Sequence, residues 1–223
     1  MLYQDSQLYQ AARATKLGQA ELSDVLERLR RSISQHYSVN VVHVVYDTID
    51  KRDGTLLPRL NLILETSVDC TALMKDRFSL KRDVQQTILR RFSRFVAECE
   101  SPEAYDTNDI FLIFDNFSEE AMRLASASFL ESDAQRVIAE FAHRHVWMID
   151  SVSSAITVFY RSDEDIRTNA ANGCRELLTQ RCYELTSAYD EFHYFSVDHF
   201  PIRFDSKENL DANYEGGLFY YYH

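Results

Sequence analysis

Asp190, His193, Asp198 and His199 are the side chains in this sequence with the types best suited to hold a metal ion. Carboxylate and imidazole together suit zinc or iron. Asp190 and His193, three apart, would share a helix face if a helix reaches that far. Their spacing matches no defined metal motif, and nothing reads His-Glu-x-x-His. The plainer expectation is a polar helix end and loop over packed Phe192, Tyr194, Phe195 and Phe200, with no metal and no other cofactor.

Other chemistry-bearing residues read as structural. His43 sits among valines, as a core histidine does. His143 and His145 flank Arg144 where a helix should end, a place that favours cations. Cys174 and Cys182 fall on the apolar stripe of a helix. Cys99 lies near a helix C-terminus, the wrong end for lowering a thiol pKa, and Cys70 belongs to no framework spacing. Asp47, Asp50 and Glu65, near Lys81 and Arg82, are weakly similar to the magnesium-binding core of restriction-type nucleases. Thr66-Ser67 follows Glu65, however, so the Glu-x-Lys element is missing. The five glycines are scattered, which excludes a phosphate-cradling loop of the Rossmann or P-loop kind.

Two charged surfaces remain. Arg82, Arg90 and Arg94, with Lys81 and Arg91, give one long helix a basic flank. It is expected to pair with the chain's own carboxylates or to be solvated, and otherwise to hold an anion or an acidic helix. From Glu184 onward acids outnumber bases eight to two and are interleaved with aromatics. Asp198, Asp205, Glu208, Asp211, Tyr214 and Glu215 from this stretch are the expected partner-binding residues. Carboxylates steer encounter with a basic protein and aromatics anchor it.

Bulk properties agree. With 223 residues, 45% apolar and 26% charged, the chain can bury a substantial core. Its net charge of −11 argues against nucleic-acid binding. No basic-then-apolar leader opens the sequence, and no apolar run approaches the ~20 residues that span a bilayer. A cytoplasmic setting with reduced thiols is expected.

These residues must be positioned by elements that the periodicity outlines. Asp5 or Ser6 should cap a helix to Leu17, and a second should carry Leu22, Val25, Leu26, Leu29 and Ile33 on one stripe. Val39–Ile49 and Leu56–Glu65 read as a hairpin about Asp53-Gly54, with Pro58 marking an irregular or edge start. Ser79 should cap a helix to Glu98, Asp109–Asp115 reads as a strand, and Ser118 as the next helix start. The order then recurs: a helix opened by a Ser132–Gln135 capping box, and a hairpin from Val146–Ile149 to Ala155–Tyr160 around 151–154. A long helix from Ser162 to about Tyr189 and a strand at Phe200–Phe204 follow. A terminal strand is expected at Leu218–Tyr222.

The expected fold is α+β, a mixed sheet with packed helices. It is read as one domain over 1–223, with two αββαβ-like halves, 1–130 and 131–223. The expected function is a non-catalytic, acidic protein-binding module of the inhibitor, immunity-protein or chaperone kind, occluding a basic partner. The alternatives are a hydrolase using the Asp190–His199 set, and a structural subunit that uses the hairpin edge or the terminal strand to extend a partner's sheet.

Overall fold

A β-branched run that answers itself across a turn makes the first hairpin. The computed structural model describes residue 2 and residues 6–51, 54–76, 79–152 and 154–223. Helices α1 (Ser6–Lys16) and α2 (Asp24–Tyr37) lead into β1 (Val41–Asp50), antiparallel to β2 (Leu56–Leu64). Asp5 and Asp53, the expected cap and turn residues, lie outside the described residues. A short helix α3 (Ser67–Leu73) follows. A small hairpin of β3 (Met74–Asp76) and β4 (Ser79–Leu80) leads to α4 (Arg82–Ala97) and then β5 (Phe111–Asn116). β5 returns parallel to β2, giving the order β1-β2-β5. β5 joins only from Arg59, so Pro58 sits where β2 has β1 as its single neighbour, an edge position that suits proline.

Alternation along β2 separates two faces. Leu60, Leu62 and Leu64 enter one core with Val25, Leu29 and Ile33 of α2 and Val84, Ile88 and Phe92 of α4. Each such buried side chain contributes roughly 1.5–3 kcal/mol by leaving water. Ile63 points the other way and pairs with His43 of β1. On that face α1 meets the sheet, through the contact of Thr15 with His43.

Helix α5 (Phe117–Ala127) carries the division between two compact units, Met1–Glu120 and Ala121–His223. The second unit holds α6 (Glu131–Glu140), β6 (Val146–Val152) and β7 (Ala155–Tyr160). It continues with α7 (Asp163–Ala171), α8 (Cys174–Ser187), β8 (Ile202–Ser206), α9 (Lys207–Asn213) and α10 (Leu218–Tyr222). β6 is antiparallel to β7 and β8 parallel to it, the same plan as the first sheet.

The likeness extends to details. The register slips between Val41 and His43 in one sheet and between Val146 and Met148 in the other, each at the start of the hairpin. A reciprocal capping box follows the second strand in both, Thr66 with Asp69 and Ser162 with Asp165. The capping acid also reaches back to the residue before the hairpin. Asp69 accepts from the Asn40 amide at 3.0 Å, and Asp165 meets His145 Nδ1 at 2.6 Å. Ile156, Val158 and Tyr160 enter the second core, and Phe159 turns to the opposite face.

Several boundaries differ from expectation for local reasons. Ser79 pairs in the β3–β4 hairpin, so α4 begins after it. Asn116, not Ser118, caps α5, its Oδ1 accepting from the Glu119 amide at 3.3 Å. Leu130 occupies the N-cap of α6, and its amide donates to Asp133; Ser132 lies inside the helix and Gln135 bonds Glu131. The single helix expected from Ser162 is broken by Gly173 at φ 77°, a left-handed position that favours glycine. Leu177, four residues after the break, is exposed. Leu218–Tyr222 forms a helix, not a strand. Phe159 would otherwise leave an aromatic face of the sheet uncovered. Tyr221 packs on it with ring centroids 5.2 Å apart.

Candidate functional site

The acidic terminal segment divides into anchored and open groups. Asp205, on β8, accepts from Tyr221 Oη at 2.7 Å, from the Ser206 amide at 2.7 Å and from Asn209 Nδ2 at 2.9 Å. That carboxylate therefore ties α9 and α10 to the sheet, and burial, with Asp205 adding to it, raises the Tyr221 hydroxyl pKa. Tyr214 stacks edge-on against Tyr221, with centroids 5.1 Å apart. Glu208 accepts from the Asp163 amide at 3.1 Å, at the start of α7. Asp211 pairs with Lys207 one turn earlier. Asp198 and Glu215 are exposed and have no partner among the described residues.

The aromatic run that ends the segment faces two ways. Tyr221 and Tyr222 are half-buried, while Phe219 and Tyr220 are 67% and 56% exposed. A tight turn puts them beside the acids of α9. Glu215 and Gly216 both have positive φ, 54° and 69°. A Cβ on Gly216 would lie 3.3 Å from Asp211 Oδ1, and one on Gly217 would lie 3.2 Å from the Tyr220 ring. Asp211, Glu215, Phe219 and Tyr220 thus form one acidic and aromatic edge.

The expected metal set is not assembled. Asp190 is buried and its Oδ2 accepts from the Phe195 amide at 2.8 Å. His193, left-handed at φ 56°, and Asp198 are exposed. His199 is also exposed, and among the described residues its ring meets only the Ser196 hydroxyl, at 3.4 Å. Among the described residues no three His, Cys, Asp or Glu side chains are grouped as metal ligands. Burial pushes the Cys70 and Cys182 thiols up to about 12 and raises that of Cys174, so these sulfurs stay protonated near neutrality.

A polar cleft of about 740 Å³ in the first unit had no signature in the sequence. Its walls include Thr15, Lys16, Glu27, Arg30, Asn40 and Glu65. Lys16 donates to Glu65 at 2.5 Å and Asn40 Nδ2 donates to the other oxygen of Glu65 at 2.7 Å. Arg30 and Arg31 both donate to Glu27, holding its carboxyl down at about 2. Thr15 Oγ1 lies 2.8 Å from His43 Nδ1. Burial, helped by Arg30, lowers His43 to about 4, leaving it neutral at pH 7. A neutral imidazole beside a hydroxyl has base–nucleophile chemistry, yet among the described residues nothing hydrogen-bonds the other ring nitrogen to orient it. The partners are 28 and 49 residues apart, so only the fold brings them together.

The basic flank lies on α4. Arg82, Arg90 and Arg94 are exposed, and Arg91 is half-buried. None of the four pairs with a carboxylate among the described residues. Among the described residues no helix is long and apolar enough to cross a membrane. Compared with known proteins, the chain matches no family model, no curated protein and no solved structure.

Proposed function

We propose that this chain is a non-catalytic protein-binding module that covers a basic segment of a partner protein with its acidic, aromatic carboxyl-terminal edge, as an inhibitor, immunity protein or chaperone does. The observation that carries the reading is the exposure of Phe219 and Tyr220 next to Asp211 and Glu215, on a helix fixed by Tyr221 and Asp205. Rigid exposed rings supply anchors at small entropic cost, and neighbouring carboxylates select and steer cations. Arginine or lysine side chains laid on those rings would gain further by cation–π attraction.

The hydrolase reading has less support, since Asp190 is engaged with the Phe195 amide and His193, Asp198 and His199 point to solvent. Strand addition through the terminal segment loses its basis, because that segment is a helix.

The test is affinity capture with the immobilised chain in parallel with two double variants, Asp211→Lys/Glu215→Lys and Phe219→Ser/Tyr220→Ser. A basic protein retained by the wild type, released by salt, and lost from both variants supports the reading. Retention of the same protein by either variant contradicts it.

A further inference from the structure

We propose that the outer face of α4 is a binding site for a single phosphoryl group, built by Arg90, Arg91, Arg94 and Thr87. These four residues line a shallow cup of about 340 Å³. Like charges spaced four apart on a helix repel, so three arginines within five positions destabilise α4 unless something neutralises them. Apart from Glu98 and the arginines themselves, the positions three and four away are Gln86, Thr87, Ile88, Ser93, Phe95 and Ala97. One carboxylate is spaced to help, Glu98, four after Arg94. It is turned to Arg28, which donates to it. In a chain with 35 acids, the cluster is left without a carboxylate among the described residues.

Neutral groups hold the guanidinium forks in place. Arg91 Nη1 donates to the Ser32 carbonyl at 2.9 Å and to the Ser32 hydroxyl. Arg90 donates from Nε to the Gln86 carbonyl at 3.3 Å and from Nη2 to Thr87 Oγ1 at 3.3 Å. Arg94 lies over the Phe95 ring at 4.9 Å. A guanidinium has five N–H donors, so each arginine keeps several unused. Thr87 Oγ1, accepting from Arg90, keeps its own proton to donate. Planar forks with spare donors match the oxygens of a phosphoryl dianion, whose charge also relieves the mutual repulsion better than a single carboxylate would.

The surroundings limit the ligand to one group. Asp83, seven residues before Arg90 and hence on the same side of the helix, places a carboxylate one turn beyond Thr87. A nucleic-acid strand following the helix would meet that carboxylate and the overall charge of −11. This site is separate from the carboxyl-terminal edge and does not depend on its role.

The experiment titrates the full chain, in low-salt chloride buffer, with inorganic phosphate and with phenyl phosphate by calorimetry and phosphorus NMR. It is repeated with Arg91→Gln/Arg94→Gln. The expected result is saturable binding of both probes, weakened at least tenfold in the variant, whose circular dichroism shows the same helical content as the wild type. Tighter binding of phenyl phosphate would mark a phosphomonoester as the ligand, and equal binding the free ion. No saturable binding, or binding that the variant retains, overturns the proposal. So does a single-stranded oligonucleotide that outcompetes both probes.

Discussion

Replacing His43 with glutamine should remove a pH dependence from the first unit, and its size follows from the burial of the imidazole. His43 is 8% exposed, and its pKa is lowered to about 4 from 6.5. A depressed histidine contributes its full stability above about pH 6.5. As pH falls below that, the unfolded chain binds a proton that the folded chain refuses. The contribution is therefore lost between about pH 6.5 and 4. Linkage gives a loss of about 1.4 kcal/mol at pH 5.5 and about 2.5 kcal/mol at pH 4.5, relative to pH 7.5. The readout is urea unfolding followed through the Leu60 and Leu62 amides, because the single tryptophan, Trp147, belongs to the second unit. The stability gap between wild type and His43→Gln should shift by these amounts across the three pH values. A gap that does not move with pH, or a His43 resonance titrating near 6.5, would refute the argument from burial.

Three further outcomes are expected. Phe92→Ala opens a fully buried position in the first core and should destabilise that unit by about 3–5 kcal/mol, measured by the same unfolding series. Ser162→Ala removes the hydroxyl that accepts from the Asp165 amide and should cost about 1 kcal/mol, read from urea midpoints by tryptophan fluorescence. Tyr221→Phe keeps the ring on Phe159 but deletes the bond to Asp205. It should cost about 1–2 kcal/mol and speed amide exchange in α10 before other elements.

The parts of this fold that were legible in the sequence are those with local causes. The β1–β2 and β6–β7 hairpins announce themselves by β-branched runs, and α2 and α4 by stripes such as Val84, Ile88 and Phe92. Ser162 marks the start of α7 for the same reason, since its hydrogen bonds with Asp165 join residues three apart. The aromatic content of Leu218–Tyr222 favours a strand, whereas the covering of Phe159 makes it a helix through a contact formed only after folding. Gly173 shows the reverse case: a local signal, a single glycine inside a long apolar stripe, splits α7 from α8 although the stripe continues through it.

The candidate sites divide in the same manner. The exposed acids and rings near the carboxyl end are visible as composition. The use of Asp205 as an internal anchor is not, because its phenol partner lies 16 residues away. The cleft around Glu65 and the Thr15–His43 contact join segments that only the sheet brings together. The arginine cup needed one structural fact beyond its sequence, the turning of Glu98 to Arg28.

Hydrogen–deuterium exchange on the complex with the captured basic partner probes the central claim most directly. Slowed exchange confined to residues 207–222, covering α9, the glycine turn and α10, is what an acidic, ring-bearing recognition edge requires. Unchanged exchange there, with protection appearing around the first-unit cleft or on α4, would move recognition elsewhere and contradict the account.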